Sequence, residues 1–453
     1  MEQNRILEGG LYKNIMLFFF PIWFGTFFQQ LYNTVDAIIV GNFVGKAALA
    51  AVGGPTATII NLLVGFFVGL SSGAGVVIAQ YFGSRNVDKT NIALHTSVSI
   101  AVIGGVILMI VGIPFSPMFL RALGTPEDIL AHATGYIQIY FFGSIFNLVY
   151  NIGSGILRAM GDSKNPLYFL IAASIVNIVL DYVFVVYMNM GVNGVGLATI
   201  ISQLVSAVLV VITLRRLPEQ ISLKYSKIKP DRHMCAEIFK IGIPSGLQSI
   251  MFSISTLTII SSINSFGTDT VAAWTAYSKI DAIFWMTVGS YGIATTTFVG
   301  QNFGAQNFDR MRKSIRACNI LSVITSIGLS LFLFKFYSVF FQIFTQDAEV
   351  IRIGATMVKI MVPLYFTFVF IENLSGAMRG VGNSIIPTVI TVMGICVFRV
   401  IWIIIILPFN RTLETALLSY PISWALTALI FIVYYKFGKW FEKSCKKKNF
   451  VIS

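Results

Sequence analysis

Four of the 19 acidic residues, Asp36, Asp181, Asp281 and Glu372, sit deep in stretches that are otherwise apolar. Tyr32 precedes Asp36 by one helical turn in LYNTVDAIIV, and Asn177 precedes Asp181 by the same spacing in NIVLDYVF, so each pair shares one helix face. An ionised carboxylate at the centre of a membrane helix costs roughly 2.5–3.5 kcal/mol on insertion scales. Each acid therefore needs a partner, a proton or a cation. Two carboxylates, an amide oxygen and the Thr199 hydroxyl supply the hard oxygen ligands that an alkali cation prefers, which makes Asp36, Asn177, Asp181 and Thr199 candidate Na+ ligands. Alternatively, two neighbouring carboxyls cannot both ionise cheaply, and one of them keeps a proton. The same set, with Tyr32 beside Asp36, suits H+ or Na+ coupling; a polar cluster of purely structural purpose is the competing reading.

Such residues have to be held by helices in a bilayer. The 453 residues are 56% hydrophobic and only 11% charged, against about 25% charged in soluble domains. Apolar runs near the ~20 residues that cross a hydrocarbon core recur throughout, and the pattern predicts twelve spans. Their limits are 14–40, 51–79, 92–114, 130–156, 166–188, 194–214, 236–263, 271–299, 314–336, 349–377, 385–408 and 414–436. The first residues, MEQNRILEGGLYKN, lack the short apolar core and small-residue cleavage site of a removable signal peptide. The fifth span starts near residue 166, so Asp181 lies ~22 Å along it at ~1.5 Å per residue. Asp36 lies near the far end of the first span and Thr199 one to two turns into the sixth, so all five groups can meet in the outer half of the first bundle.

Cys235, Cys318, Cys396 and Cys445 show no CxxC spacing, and His95, His132 and His233 form no HxxxH pair. Neither a disulfide framework nor a zinc site is expected. The formal charge of +13 is segregated rather than patched. Apart from Lys46, Arg121, Lys335, Arg352 and Arg411 in odd-numbered loops, and Lys279, Lys359 and Arg399 within spans, every Lys and Arg falls at the termini or in even-numbered loops. The positive-inside rule then places both termini in the cytoplasm. The basic tail at 446–448 and the linker read as topology signals with some contact to anionic lipid. Nothing resembles the aromatic-interleaved basic patch of a nucleic-acid binder.

The chain also repeats itself. VIAQYFGSRNVDK aligns with FVGQNFGAQNFDR, pairing Gln80 with Gln301, Phe82 with Phe303, Gly83 with Gly304, Asn86 with Asn307 and Asp88 with Asp309. RAMGDSKNP aligns with RGVGNSIIP at the same offset, pairing Arg158 with Arg379, Gly161 with Gly382 and Pro166 with Pro387. Each half holds six spans, an even number, so the repeats are parallel and related by an axis along the membrane normal. The expected organisation is an N-terminal six-helix lobe at 1–212, a polar cytoplasmic linker at 213–234, a C-terminal lobe at 235–436 and a basic cytoplasmic tail at 437–453. Two similar bundles suit alternating access. The repeated Gly and Pro residues read, one by one, as shaping tight turns.

The repeat is an internal control on the acid site. Asn177 maps to Phe398, Asp181 to Trp402 and Thr199 to Tyr420, while Asp36 maps near Thr258 or Ile259. The second half keeps the scaffold without the chemistry. Its own charges, Glu372, Asp281, Lys279 and Arg399, read equally as substrate-binding groups or as ion pairs that lock the bundle.

Twelve spans in two repeats, Pro21 and Pro244 early in spans one and seven, the paired Q-x-F-G-x-x-N-x-D loops and the paired R-x-x-G-x-S-x-x-P loops together resemble the multidrug and toxic compound extrusion (MATE) family over nearly the whole chain. The Asp–Tyr pair of span one and N-x-x-x-D of span five are most similar to its DinF-like branch. The resemblance implies an all-α, V-shaped pair of bundles in a prokaryotic plasma membrane, exporting amphipathic or cationic drug-like compounds against inward H+ or Na+. It implies cation coupling at Asp36, Asn177, Asp181 and Thr199, with no cofactor beyond the ion, no catalysis, and a monomer among membrane lipids. The norfloxacin-exporter branch instead uses acids in spans seven and ten, where Glu372 matches and Glu237 is too shallow. Abundant Phe and Met can line an adaptable cavity.

A lipid-linked precursor flippase needs a cationic cavity, for which only Lys279, Lys359 and Arg399 are available. A membrane-embedded enzyme needs an interfacial catalytic set that the sequence lacks. A channel would pass ions without stoichiometric exchange of drug.

Overall fold

The computed structural model describes residues 4–450, so residues 1–3 of the first expected lobe and 451–453 of the basic tail lie outside it. Among the described residues all regular structure is helical. In chain order the helices are α1 (Leu11–Ile39), α2 (Lys46–Gly53), α3 (Pro55–Gly83), α4 (Val87–Ala122), α5 (Glu127–Phe142), α6 (Ser144–Ala159), α7 (Lys164–Asp181) and α8 (Gly191–Arg215). The second half supplies α9 (Arg232–Asn264), α10 (Thr268–Gly304), α11 (Phe308–Phe344), α12 (Ala348–Met361), α13 (Tyr365–Gly380), α14 (Ile385–Thr391), α15 (Phe398–Ile401), α16 (Leu413–Phe437) and α17 (Trp440–Lys447).

Eleven of these helical segments, some made of two helices in line, are long and apolar enough to cross a membrane. Counted as one broken span, the pair α5 and α6, bent by 48° and lying where the fourth span is expected, brings the number to twelve. Gly143 sits at the bend because it packs hard against α8: a Cβ there would lie 2.5 Å from the Ile200 side chain. In hydrocarbon only structures that satisfy their own backbone groups can span, which is why apolar runs of this length become helices here.

The repeated loops are the same turn made twice. Asn86 N–H bonds to Tyr81 O at 3.0 Å and Asn307 N–H to Asn302 O at 2.9 Å. Each Asn side chain then caps the next helix, accepting from Lys89 N at 3.0 Å and from Arg310 N at 3.1 Å. Asp88 and Asp309 lie in the first turns, where a negative charge meets the positive end of the helix dipole. The second motif is equally regular. Gly161 and Gly382 adopt φ of 98° and 87°, which favours glycine, and bond to Arg158 O at 2.9 Å and Arg379 O at 2.8 Å.

Contacts divide the described residues into two units, one of residues 20–246 and one of 4–19 with 247–450. The repeat places the division within the linker; the contacts place it inside α1 and α9.

In the first unit, Gly69 and Gly73 of α3 meet Gly242 and Gly246 of α9. A Cβ on Gly69 would lie 2.3 Å from Gly246 N, and one on Gly73 2.5 Å from Ile238 O. Paired small-xxx-small faces bring two backbones together. The linker is clasped to α4: His95 Nε2 accepts from Lys224 N at 3.0 Å, Thr96 Oγ1 accepts from Asp231 N at 3.2 Å, and Asn91 donates to Gln220 O at 2.8 Å. In the second unit the segment before α1 is held in a comparable way. Arg310 donates to Ile6 O at 2.9 Å and Glu8 O at 2.9 Å, and Asn4 donates to Gln301 at 2.9 Å.

Candidate functional site

Both acids that lie deep in spans of the first unit stand where α-helix gives way to a wider π-helical turn. Asp36 lies in the last turn of α1, before a π segment at Val40–Val44, and Asp181 is the last residue of α7, before a π segment at Tyr182–Tyr187. Such bulges shift the residues around them out of ideal register and are frequent at functional sites. The two π segments touch. Around them Ile39, Val40, Tyr136, Val185, Val192 and Val195 form a compact apolar cluster. The acids therefore have an oily lid on the side that faces away from the chain termini.

Asp36 is 8% exposed, Thr199 6%, and Asn177 and Asp181 are fully buried. The two carboxyls lie within hydrogen-bonding reach of each other, and Asp36 acts electrostatically on Tyr32. Apart from that mutual contact, Asp36 Oδ1 and both Asp181 oxygens find no donor elsewhere among the described residues, and both polar atoms of the Asn177 amide have no hydrogen-bond partner there. Buried polar atoms are nearly always satisfied. Two carboxyls in contact can share one proton, and the unpartnered Asn177 amide beside them adds a further oxygen to the group. Thr199 donates its proton to Val195 O at 2.9 Å, which leaves its oxygen lone pairs available. Thus the five residues expected to gather, Tyr32, Asp36, Asn177, Asp181 and Thr199, lie on α1, α7 and α8 of one unit.

Three further residues belong to this neighbourhood. Tyr136 lies in the field of Asp36 and Asp181, Tyr140 in that of Tyr32, and Tyr140 is hydrogen-bonded to Gln203, whose Oε1 is another orphan. The signal for them was present in the sequence: Tyr136 with Tyr140 and Thr199 with Gln203 repeat the one-turn spacing of Tyr32 with Asp36 and Asn177 with Asp181. Four helices each contribute a pair of polar groups on one face. The oxygen set fits a small hard cation, and the adjacent carboxyls fit a proton equally well.

Of the candidate charges of the second unit, Asp281 and Arg399 come within each other's field, while Glu372 has a different partner. Glu372 pairs with Arg379 at 2.8 Å. Asp281 accepts from the Tyr365 hydroxyl on one oxygen and from Trp285 Nε1 at 2.6 Å on the other, and Tyr365 is bonded to Tyr277 at 2.7 Å. Arg399 is in the field of Asp281, is 3% exposed, and donates to Ser423 at 2.9 Å while its guanidinium lies 4.1 Å from the Tyr420 ring centroid. Lys279 and Lys359 are exposed. Glu237 accepts from Tyr81 at 2.8 Å near the start of α9, well away from mid-span. A π segment recurs at Trp402–Ile406, at the position that mirrors Asp181, but Trp402 there donates to Thr415 O at 2.8 Å.

The chain matches the MatE family model over residues 21–183 and 244–405, one match in each repeat. It is 28% identical over 438 residues to the probable multidrug resistance protein YoeA of Bacillus subtilis, covering 94% of both chains. It is 24% identical over 403 residues to the multidrug export protein MepA of Staphylococcus aureus, with 87% of each covered. Among solved structures, a MATE protein in its straight conformation superposes with a TM-score of 0.90 at 21% identity, covering 99% of each chain. A MOP superfamily transporter from Pyrococcus furiosus gives 0.89 at 22%, covering 96% and 97%. Two tandem matches on a twelve-span helical scaffold leave one conclusion: the chain belongs to the MatE family, the multidrug and toxic compound extrusion transporters.

Proposed function

We propose that this transporter is a secondary multidrug exporter, which releases amphipathic or cationic drug-like compounds in exchange for inward-moving H+ or Na+ by alternating access. The observation that carries the reading is the buried pair Asp36 and Asp181 with its surrounding orphaned oxygens. Two negative charges side by side out of water repel one another, so a form of the protein that offers this pair must take up positive charge. In Na+ coupling, Asp36, Asn177, Asp181 and Thr199, joined by Gln203, would hold the ion; in H+ coupling one carboxyl carries the proton. Either form of positive charge, when bound, relieves the repulsion and so favours the arrangement in which the pair is closed off. Drug binding and ion binding are then linked through which arrangement each prefers. The names of the relatives support drug-like substrates.

The second-unit charges have a simpler role in this scheme. With both Asp281 oxygens engaged and Glu372 paired to Arg379, they hold helices together. The protein sits in a plasma membrane as a monomer with both termini in the cytoplasm, as the distribution of Lys and Arg favours. The test is efflux of a fluorescent cationic drug from proteoliposomes under separately imposed H+ and Na+ gradients. Wild type exports under at least one gradient. Asp36→Asn and Asp181→Asn lose gradient-driven export while remaining monodisperse and folded; full export by both variants overturns the assignment.

A further inference from the structure

The place that mirrors the acid site in the second repeat is a cavity of about 640 Å3. Aligning Pro21 with Pro244 sets Asp36 on Ile259, among the cavity-lining Thr258, Ser261 and Ser262 of α9. The repeat offset sets Asp181 on Trp402, next to the lining residue Ile403. Where the first unit packs its π segments into an apolar lid over two acids, the second leaves space, and its chemistry is reversed. No carboxylate lines the cavity; its one charge is Arg411. Among the described residues Arg411 has no ion-pair partner.

The walls differ in kind. One is a stripe of hydroxyls on α9, continuing to Ser265, and the other is Leu407 and Pro408 at the end of the eleventh span. Thr258 and Ser265 donate to their own helix, at 3.1 Å to Ile254 O and 2.7 Å to Ser262 O, whereas Ser261 and Ser262 keep free hydroxyl protons. Beside the cavity Ile404 is 65% and Phe409 86% exposed, an apolar strip facing the surroundings of the span. An open recess with one hydroxyl-lined wall, one apolar wall and an exposed guanidinium that pairs with no carboxylate among the described residues, next to an exposed apolar strip, has the shape and polarity to receive a molecule with an acidic head and an apolar tail. A guanidinium binds phosphate or carboxylate oxygens through paired N–H donors, and serine hydroxyls add to it.

We propose that this recess is a binding site for the acidic head of an amphiphile, with Arg411, Ser261 and Ser262 on the head and the Ile404–Phe409 strip along the tail. The site lies at the end of α9 away from the chain termini, and is independent of the cation-coupling pair. The head group is a phosphodiester or phosphate, supplied either by a membrane lipid or by a free amphiphile.

Native mass spectrometry of the detergent-purified full chain tests this with phosphatidylglycerol, phosphatidylcholine and dodecyl phosphate. Wild type retains phosphatidylglycerol several-fold over phosphatidylcholine. Arg411→Gln, and Ser262→Leu which fills the recess, bring that retention down about tenfold to the phosphatidylcholine level. Lys335→Gln, a change at another exposed cation, leaves it intact. Displacement of phosphatidylglycerol by dodecyl phosphate upholds the site and opens it to free amphiphiles; retention of phosphatidylglycerol against dodecyl phosphate upholds it as a lipid site. Undiminished phosphatidylglycerol on Arg411→Gln, or an equal loss on Lys335→Gln, overturns the proposal.

Discussion

An orphaned oxygen is a demand, and around Asp36 and Asp181 several such demands coincide. Gln203 tests whether they act together. Gln203→Leu removes one neutral oxygen and is expected to raise the coupling-ion concentration for half-maximal export about tenfold, equivalent to ~1.4 kcal/mol, with maximal rate nearly kept. A titration of transport against ion concentration measures this, and an unchanged half-point places Gln203 outside the site. Asp281 is the contrast, because its oxygens already have donors. Asp281→Asn is expected to lower stability by about 1.5–3 kcal/mol, the range for hydrogen bonds to charged groups, without moving ion dependence. Thermal melting beside the same titration separates the two effects. Much of this was legible in the sequence, since an acid in an apolar span is conspicuous and one-turn spacing shows which neighbour shares its face. Tyr136, Tyr140 and Gln203 were harder to see because uncharged side chains in a helix carry no comparable penalty, and only the approach of α5 and α8 brings them in. The partners of Arg399 were illegible for the same reason: aromatic rings mark packing everywhere in this chain.

The helices themselves follow from apolar length, and the structure places them where that length predicts. Their interruptions follow less directly. The repeated loops announced themselves through Asn and Gly, residues that turns need for capping and for positive φ. The π segments are less legible: Tyr182–Tyr187 contains neither residue, and Gly41 and Asn42 of Val40–Val44 take no positive φ. Asn86→Ala and Asn307→Ala each remove a helix cap and are expected to cost about 1 kcal/mol, with Asp at either position restoring most of it. Melting in detergent reads the difference. Gly73→Leu is the harsher change, because the added side chain must enter a crossing where even a Cβ meets backbone at 2.5 Å. It is expected to cost more than both cap losses together, seen as a larger fall in melting temperature or as failure to recover folded protein.

For the molecule as a whole, charge placement sets direction. Removing Lys446–Lys448 is expected to reduce insertion in the proper orientation more than turnover per inserted molecule. Labelling of single cysteines introduced in the loops, compared with transport normalised to surface protein, distinguishes these; a selective loss of turnover overturns the topology role of the tail. The contacts assign residues 4–19 to one unit and 235–246 to the other. Either half of the chain, cut where the sequence repeats, would carry its opening half-helix without the body that half-helix packs into. A half expressed alone is therefore expected to need its twin to be complete.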